Sequence, residues 1–150
     1  MRHIIGYYLI LTAVAGYAVL KGGKPEQRVA SLLVVASLAS TAVAFGADRN
    51  FKVFNVGVFL VDLALLCGLA VVASRAYRIW PIFMLAIQII TTAVHGSKAY
   101  DPTIQSWLYL GVLGKLAYPA LLLLVFGTWT HQRRVRTTGT DKSWLISSAR

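Results

Sequence analysis

The sequence predicts an all-α integral membrane bundle of five transmembrane helices, N-terminus outside and C-terminus in the cytoplasm, and three observations predict it. The 150-residue chain is 57% hydrophobic and only 13% charged, with a mean hydropathy of +0.66, whereas a soluble domain carries about a quarter charged residues. Its apolar residues fall into five runs, about 3–20, 29–47, 53–74, 79–96 and 104–130, each broken by charge, Gly or Pro. Finally, the fifteen Lys and Arg sit almost wholly in the short connectors and the tail, as the positive-inside rule distributes them. In a soluble protein the net charge of +10 would suggest nucleic acid. Here the basic groups form no stripe with interleaved aromatics, so no nucleic-acid partner is expected.

The first run, 3–20, imitates a secretory signal, because Ala13-Val14-Ala15 precedes Gly16 in the small-residue pattern of a cleavage site. Its apolar stretch continues to Leu20 and is followed by Lys21, Lys24 and Arg28, which predicts an uncleaved first helix. The connectors KGGKPEQR, DRNFK, SRAYR and GSKAYDP are short enough that consecutive helices must pack as antiparallel hairpins. Lys21, Lys24, Arg28, Arg75, Arg78, Arg133, Arg134, Arg136, Lys142 and Arg150 lie on one side of such a bundle, and Arg2, Arg49, Lys52 and Lys98 on the other. That asymmetry assigns the cytoplasmic side to the C-terminus. Trp80, Trp107 and Trp129 then read as members of the interfacial aromatic belts.

The fifth run carries Lys115 and Pro119 in its middle. At helical rise the run reaches roughly 40 Å, enough to cross a bilayer with some tilt. Residues 131–150 form a basic cytoplasmic tail, HQRRVRTTGTDKSWLISSAR. Arg133, Arg134 and Arg136 read there as topology anchors in contact with anionic lipid headgroups, each attracted by ~1 kcal/mol. Trp144, Leu145 and Ile146 make a small apolar patch on the tail, suited to the membrane surface or to a partner; a disordered end is an equal alternative.

Depth along the helices suggests a buried polar layer. Asp62, Gln88 and Lys115 lie roughly eight to ten residues from the outer helix ends, or ~12–15 Å at helical rise, with Thr12 and Ser37 at similar depth. A charge at a helix centre costs ~2.5–3.5 kcal/mol on the insertion scale, so an Asp62–Lys115 ion pair with Gln88 beside it is the economical arrangement. Three roles for these atoms compete: an interhelical clamp, a proton or ion relay, and a snorkelling Lys115 that leaves Asp62 protonated. Gly111, Gly114, Lys115 and Tyr118 recur at i, i+3, i+4 and i+7 and predict the inward face of the fifth helix. Asn55 shares a face with Asp62, and Thr91, Thr92 and His95 share one with Gln88. Asn55 and His95 are the polar residues expected nearest the outer side.

Catalytic signatures are missing. The chain has no HExxH, GxSxG or GxxxxGK[ST] motif and no second membrane carboxylate, so an enzyme is not expected. The single Cys67 excludes an intrachain disulfide and a cysteine metal site, and reads as a packing residue. His3 and His95 form a conceivable pair, but no supporting shell accompanies them; no metal or cofactor is expected.

The stretches GGKPEQR at 22–28, VDLALL at 61–66, WPIFMLAIQ at 80–88 and GTWTHQRR at 127–134 resemble small integral membrane proteins of sphingomonad-type alphaproteobacteria, for which no activity is assigned. The resemblance implies a bacterial inner-membrane location and transfers no catalytic or binding residue. The function expected from all this is a non-enzymatic accessory or scaffold subunit of an inner-membrane assembly. Its partners would be the lipid bilayer and either other membrane subunits or further copies of itself. The alternative is a small transporter or ion- or proton-conducting protein using Asp62, Lys115 and Gln88.

Overall fold

The computed structural model describes residues 2–46, 56–100 and 106–139, and these form five helices: α1 (Arg2–Lys21), α2 (Lys24–Gly46), α3 (Val56–Arg75), α4 (Trp80–Tyr100) and α5 (Ser106–Thr138). Asn55 and the Trp144–Ile146 patch lie outside the described residues. Three helices, Lys24–Ala44, Val56–Arg75 and Trp80–Tyr100, are long and apolar enough to cross a membrane, and Ile5–Lys21 is a shorter apolar helix.

Each helix packs on its neighbours in sequence, and α1 also packs on α5, so the five close a ring; α2 reaches across to α5. Successive helices are antiparallel, which makes α1 and α5 parallel. One end of the bundle therefore holds the last turns of α1, α3 and α5 with the first turns of α2 and α4. We call it the tail end.

The core is built from one stripe per helix. Leu11, Ala15 and Ala18 on α1 face Val29, Ala30 and Leu33 on α2; Leu65, Leu69 and Val72 come from α3, Trp80 and Met84 from α4, and Leu121 and Leu124 from α5. Spacings of three and four keep each stripe on one face. The alanines admit close helix approach, which matters more in lipid than apolarity does, since hydrocarbon offers leucine no less favourable surroundings than a protein interior. Large apolar side chains also cover the outside, among them Leu9, Leu20, Leu60, Ile79 and Leu122. So much contiguous apolar surface would be a liability in water and is ordinary for a chain in a bilayer.

Three helix ends differ from the sequence reading: α4 runs past 96 to Tyr100, so Ser97 and Lys98 of the expected connector are helical. Helix α2 begins at Lys24, not near 29, because Gly23 supplies the carbonyl for the first helical bond from the Gln27 amide, at 3.0 Å, and Pro25 tolerates the first turn, where its missing N–H costs nothing. Helix α5 runs beyond 130 to Thr138, so the basic cluster expected in a tail is helical. Its Gly139 has φ of 73°, the left-handed conformation of a helix stop.

Candidate functional site

Among the described residues, the tail end contains the most deeply buried polar cluster. Gly22 and Gly23 make the α1–α2 link tight: a Cβ on Gly22 would collide with the Ala18 carbonyl oxygen and come within 2.7 Å of Glu26 Cβ. The Gln27 side-chain amide then donates to the carbonyls of Val19 (3.1 Å) and Gly22 (3.3 Å), satisfying the last turn of α1. This turn places Glu26 in the first turn of α2, on the stripe continued by Val29, Ala30 and Leu33, with 0% of its surface exposed. Helix N-termini favour a carboxylate there.

Arg78, from the α3–α4 link, donates through Nη1 to Glu26 Oε1 in a buried ion pair. Trp80 Nε1 donates to the same oxygen at 3.2 Å. Trp80 enters the core because Gly127 makes room: a Cβ on Gly127 would stand 2.6 Å from Trp80 Cε2. Arg78 Nη2 lies 3.0 Å from His131 Nδ1. An arginine only donates, so the lone pair is on Nδ1 and the ring proton belongs to Nε2. Glu26 Oε2 has no hydrogen-bond partner and points toward Gly23, whose Cβ would meet it at 3.1 Å and His131 Cε1 at 3.0 Å. Three helices, α2, α4 and α5, and the α3–α4 link thus meet through one carboxylate, one guanidinium and two rings.

Toward the other end, α3 and α4 share a second cluster. His95 Nε2 lies 2.9 Å from Asp62 Oδ2. That oxygen has no aligned hydrogen-bond donor, so the contact is one of proximity. Gln88 Nε2 donates to Asp62 Oδ1 and to the Asp62 carbonyl, both at 3.4 Å. Lys98, three residues past His95, is buried as well. Thr91 and Thr92 give their hydroxyls to the carbonyls of Ile87 (3.0 Å) and Gln88 (2.9 Å), so the nearest hydroxyls are spent on their own helix.

The expected polar layer is therefore divided. Asp62 and Gln88 come together, but Lys115 is exposed on α5, and α3 and α5 do not pack on each other among the described residues. The proposed Asp62–Lys115 pair is corrected: the two share a depth and not a face, and His95 takes the place given to the lysine. The inward face predicted for α5 is corrected for the same reason. Gly111, Gly114, Lys115 and Tyr118 are all exposed, with nothing within 4 Å of a Cβ at either glycine. Helix α5 is instead buried through Leu121, Leu124, Gly127 and Thr128, a stripe rotated away from Lys115.

Thr12 is exposed and bonds back to the Tyr8 carbonyl at 2.8 Å. Ser37 joins α1 to α2: Tyr7 Oη lies 3.0 Å from its hydroxyl and Tyr8 Oη donates to its carbonyl at 3.0 Å, with Thr41 also against Tyr8 Oη. Trp80 is 5% exposed, so its place in the aromatic belt is corrected to a core position. Trp129 is on the surface with the Arg133 guanidinium 5.7 Å from its ring centroid. Arg133, Arg134 and Arg136 are exposed on the last turns of α5. Cys67 is exposed and does not fill the core. The side chains of His3 and Trp107 lie outside the described residues.

Glu26, Arg78, Trp80 and His131 were not anticipated as a site. One signal was present: with α2 starting at 24, Glu26 falls three and four residues before Val29 and Ala30 and shares their buried face. Among the described residues no three His, Cys, Asp or Glu are grouped to hold a metal ion. Comparison with family models, curated proteins and solved structures finds no match to this chain. The class that fold and site define is an all-helical bundle, three of its helices long and apolar enough to span a membrane, tied by buried polar clusters toward both ends.

Proposed function

We propose that this chain crosses a bacterial inner membrane five times, C-terminus in the cytoplasm, and serves as a non-enzymatic accessory or scaffold subunit that docks a larger membrane assembly through α5. The observation that carries the reading is the exposed Gly111–Gly114–Lys115–Tyr118 face. Small residues on an outward face admit a second helix closely. An ammonium on the same face calls for a carboxylate opposite, because the bilayer penalises an uncompensated charge. Pro119 adds an acceptor there, since it cannot donate to the Lys115 carbonyl one turn earlier. The occupant is thus a transmembrane helix with small residues and an acidic side chain at the level of Lys115. The chain's own Asp62 and Glu26 are engaged inside the bundle, which favours a different protein over a second copy.

Extraction in native lipid followed by mass spectrometry of co-purifying proteins tests this. A companion in fixed proportion from the parent chain, lost from Lys115→Leu, is the expected result; a chain that emerges alone removes the proposal.

A proton-conducting reading draws on the Asp62–His95 contact at 2.9 Å, a carboxylate and an imidazole able to exchange a proton. Between that cluster and Glu26 the interior is filled by Leu65, Leu69, Met84, Leu121 and Leu124, and Gln88 stands eight residues, roughly 12 Å, along α4 from Trp80. That apolar layer offers no group to relay a proton, so the clamp reading is preferred. Proton flux in liposomes that disappears with Asp62→Asn would reverse the preference.

A further inference from the structure

A cavity of about 270 Å³ opens between the last turns of α1 and α5, lined by Leu20, Lys21, His131, Gln132, Val135 and Arg136. We propose that it binds the phosphate of an anionic phospholipid headgroup. The proposal rests on these helices crossing a membrane and is independent of the docking assigned to α5.

The chemistry of the lining is one-sided. Lys21 and Arg136 bring two cations, Gln132 and His131 add polar nitrogens, and no carboxylate lines the space. Arginine and lysine with neutral donors between them are the set that recognises phosphate oxygens. Glu26, the carboxylate nearby among the described residues, is buried and paired with Arg78, so its charge is spent away from the cavity.

The walls are held in place. Gln132 accepts from Tyr17 Oη at 3.4 Å and donates to the Lys21 carbonyl at 3.5 Å, tying α1 to α5 beside the cavity. His131 is fixed from behind by Arg78. The buried Glu26–Arg78 pair therefore positions one wall of a surface site.

Location selects a lipid over a soluble anion. The cavity lies where α1 passes from Leu20 to Lys21 and where α5 passes from its apolar stretch to the basic run 131–136, the change of composition that marks headgroup level. Leu20 and Val135, both exposed, give the same cavity an apolar border that suits the start of an acyl chain and serves no purpose for free phosphate.

The test is native mass spectrometry of the full chain in mild detergent, titrated with phosphatidylglycerol, phosphatidylcholine or glycerol 3-phosphate. The parent should retain one phosphatidylglycerol in preference to phosphatidylcholine. Lys21→Gln with Arg136→Gln, both exposed positions that should leave folding intact, should weaken retention about twentyfold, near fivefold per cation removed. Lys24→Gln with Arg75→Gln, exposed at the same end of the bundle and outside the cavity lining, removes the same charge and should weaken it less than about threefold. Equal losses from the two pairs would reduce the effect to general attraction and overturn the site. Displacement of the lipid by equimolar glycerol 3-phosphate would overturn the lipid as its source. Helicity by circular dichroism, matched across variants, separates either result from misfolding.

Discussion

Removing either partner of the Glu26–Arg78 pair should destabilise the bundle far more than removing both. The side chains are 0% and 3% exposed, so Arg78→Met leaves an uncompensated carboxylate holding a hydrogen bond from the neutral Trp80 indole, and Glu26→Leu leaves a guanidinium against His131. Breaking a buried pair on one side costs about 3–5 kcal/mol, most of it the stranded charge. Glu26→Leu also takes the acceptor from Trp80 Nε1, adding about 1–3 kcal/mol for an orphaned buried donor, so it should be the worse of the two. In the double variant no charge is stranded; the Trp80 indole loses its acceptor and the part-buried His131 its Arg78 contact, for a cost of about 1–3 kcal/mol. Summed singles of about 7–13 kcal/mol against that small value imply a coupling of several kcal/mol, above the usual range for neighbouring residues. Equilibrium unfolding in mixed micelles, followed by tryptophan fluorescence and far-ultraviolet circular dichroism, measures it. Additive losses, with the double variant as unstable as the sum, would refute the assignment of this pair as the tail-end clamp.

Gly127→Ala should displace the Trp80 ring, since the new methyl would stand 2.6–2.9 Å from three of its atoms; overpacking of about 1–3 kcal/mol should exceed the roughly 1 kcal/mol gained in helix propensity, read as a lower unfolding midpoint with shifted tryptophan emission. Tyr8→Phe removes the donor to the Ser37 carbonyl and the Thr41 contact, and should cost about 1 kcal/mol in the same unfolding experiment. Gly114→Leu is made at an exposed position where a Cβ would meet nothing within 4 Å, so stability should hold or rise by up to about 1 kcal/mol, while the co-purifying partner is lost. Single cysteines at Gln27 and at Ser97, both exposed, placed in a Cys67→Ser background, should label from opposite sides of sealed vesicles if the helices cross the membrane as proposed.

Helix order and hairpin packing were legible because charges and glycines interrupt the apolar runs at short intervals, and short links leave little choice of neighbour. The rotation of each helix was not. A membrane helix is apolar nearly all round, so the periodicity that marks the inward face of a soluble helix is weak. Counting residues gave Lys115 and Asp62 the same height, yet height fixes one coordinate only, and the ring separates α3 from α5. Trp80 was misplaced because tryptophan at a helix end suits either an interface or a core, and Gly127, which decides the matter, is forty-seven residues away. Glu26 was hidden by setting the start of α2 at the apolar run and not at its Gly23–Pro25 turn.

The most direct test of the docking role is photo-crosslinking in native membranes from a benzophenone amino acid at Gly114, compared with one at Ile89, which is exposed on α4. Adducts from 114 to one other membrane protein, with lipid alone captured from 89, are the predicted result. The same lipid adducts from both positions would mean that the face of α5 carrying Lys115 meets only the bilayer, and would contradict the account.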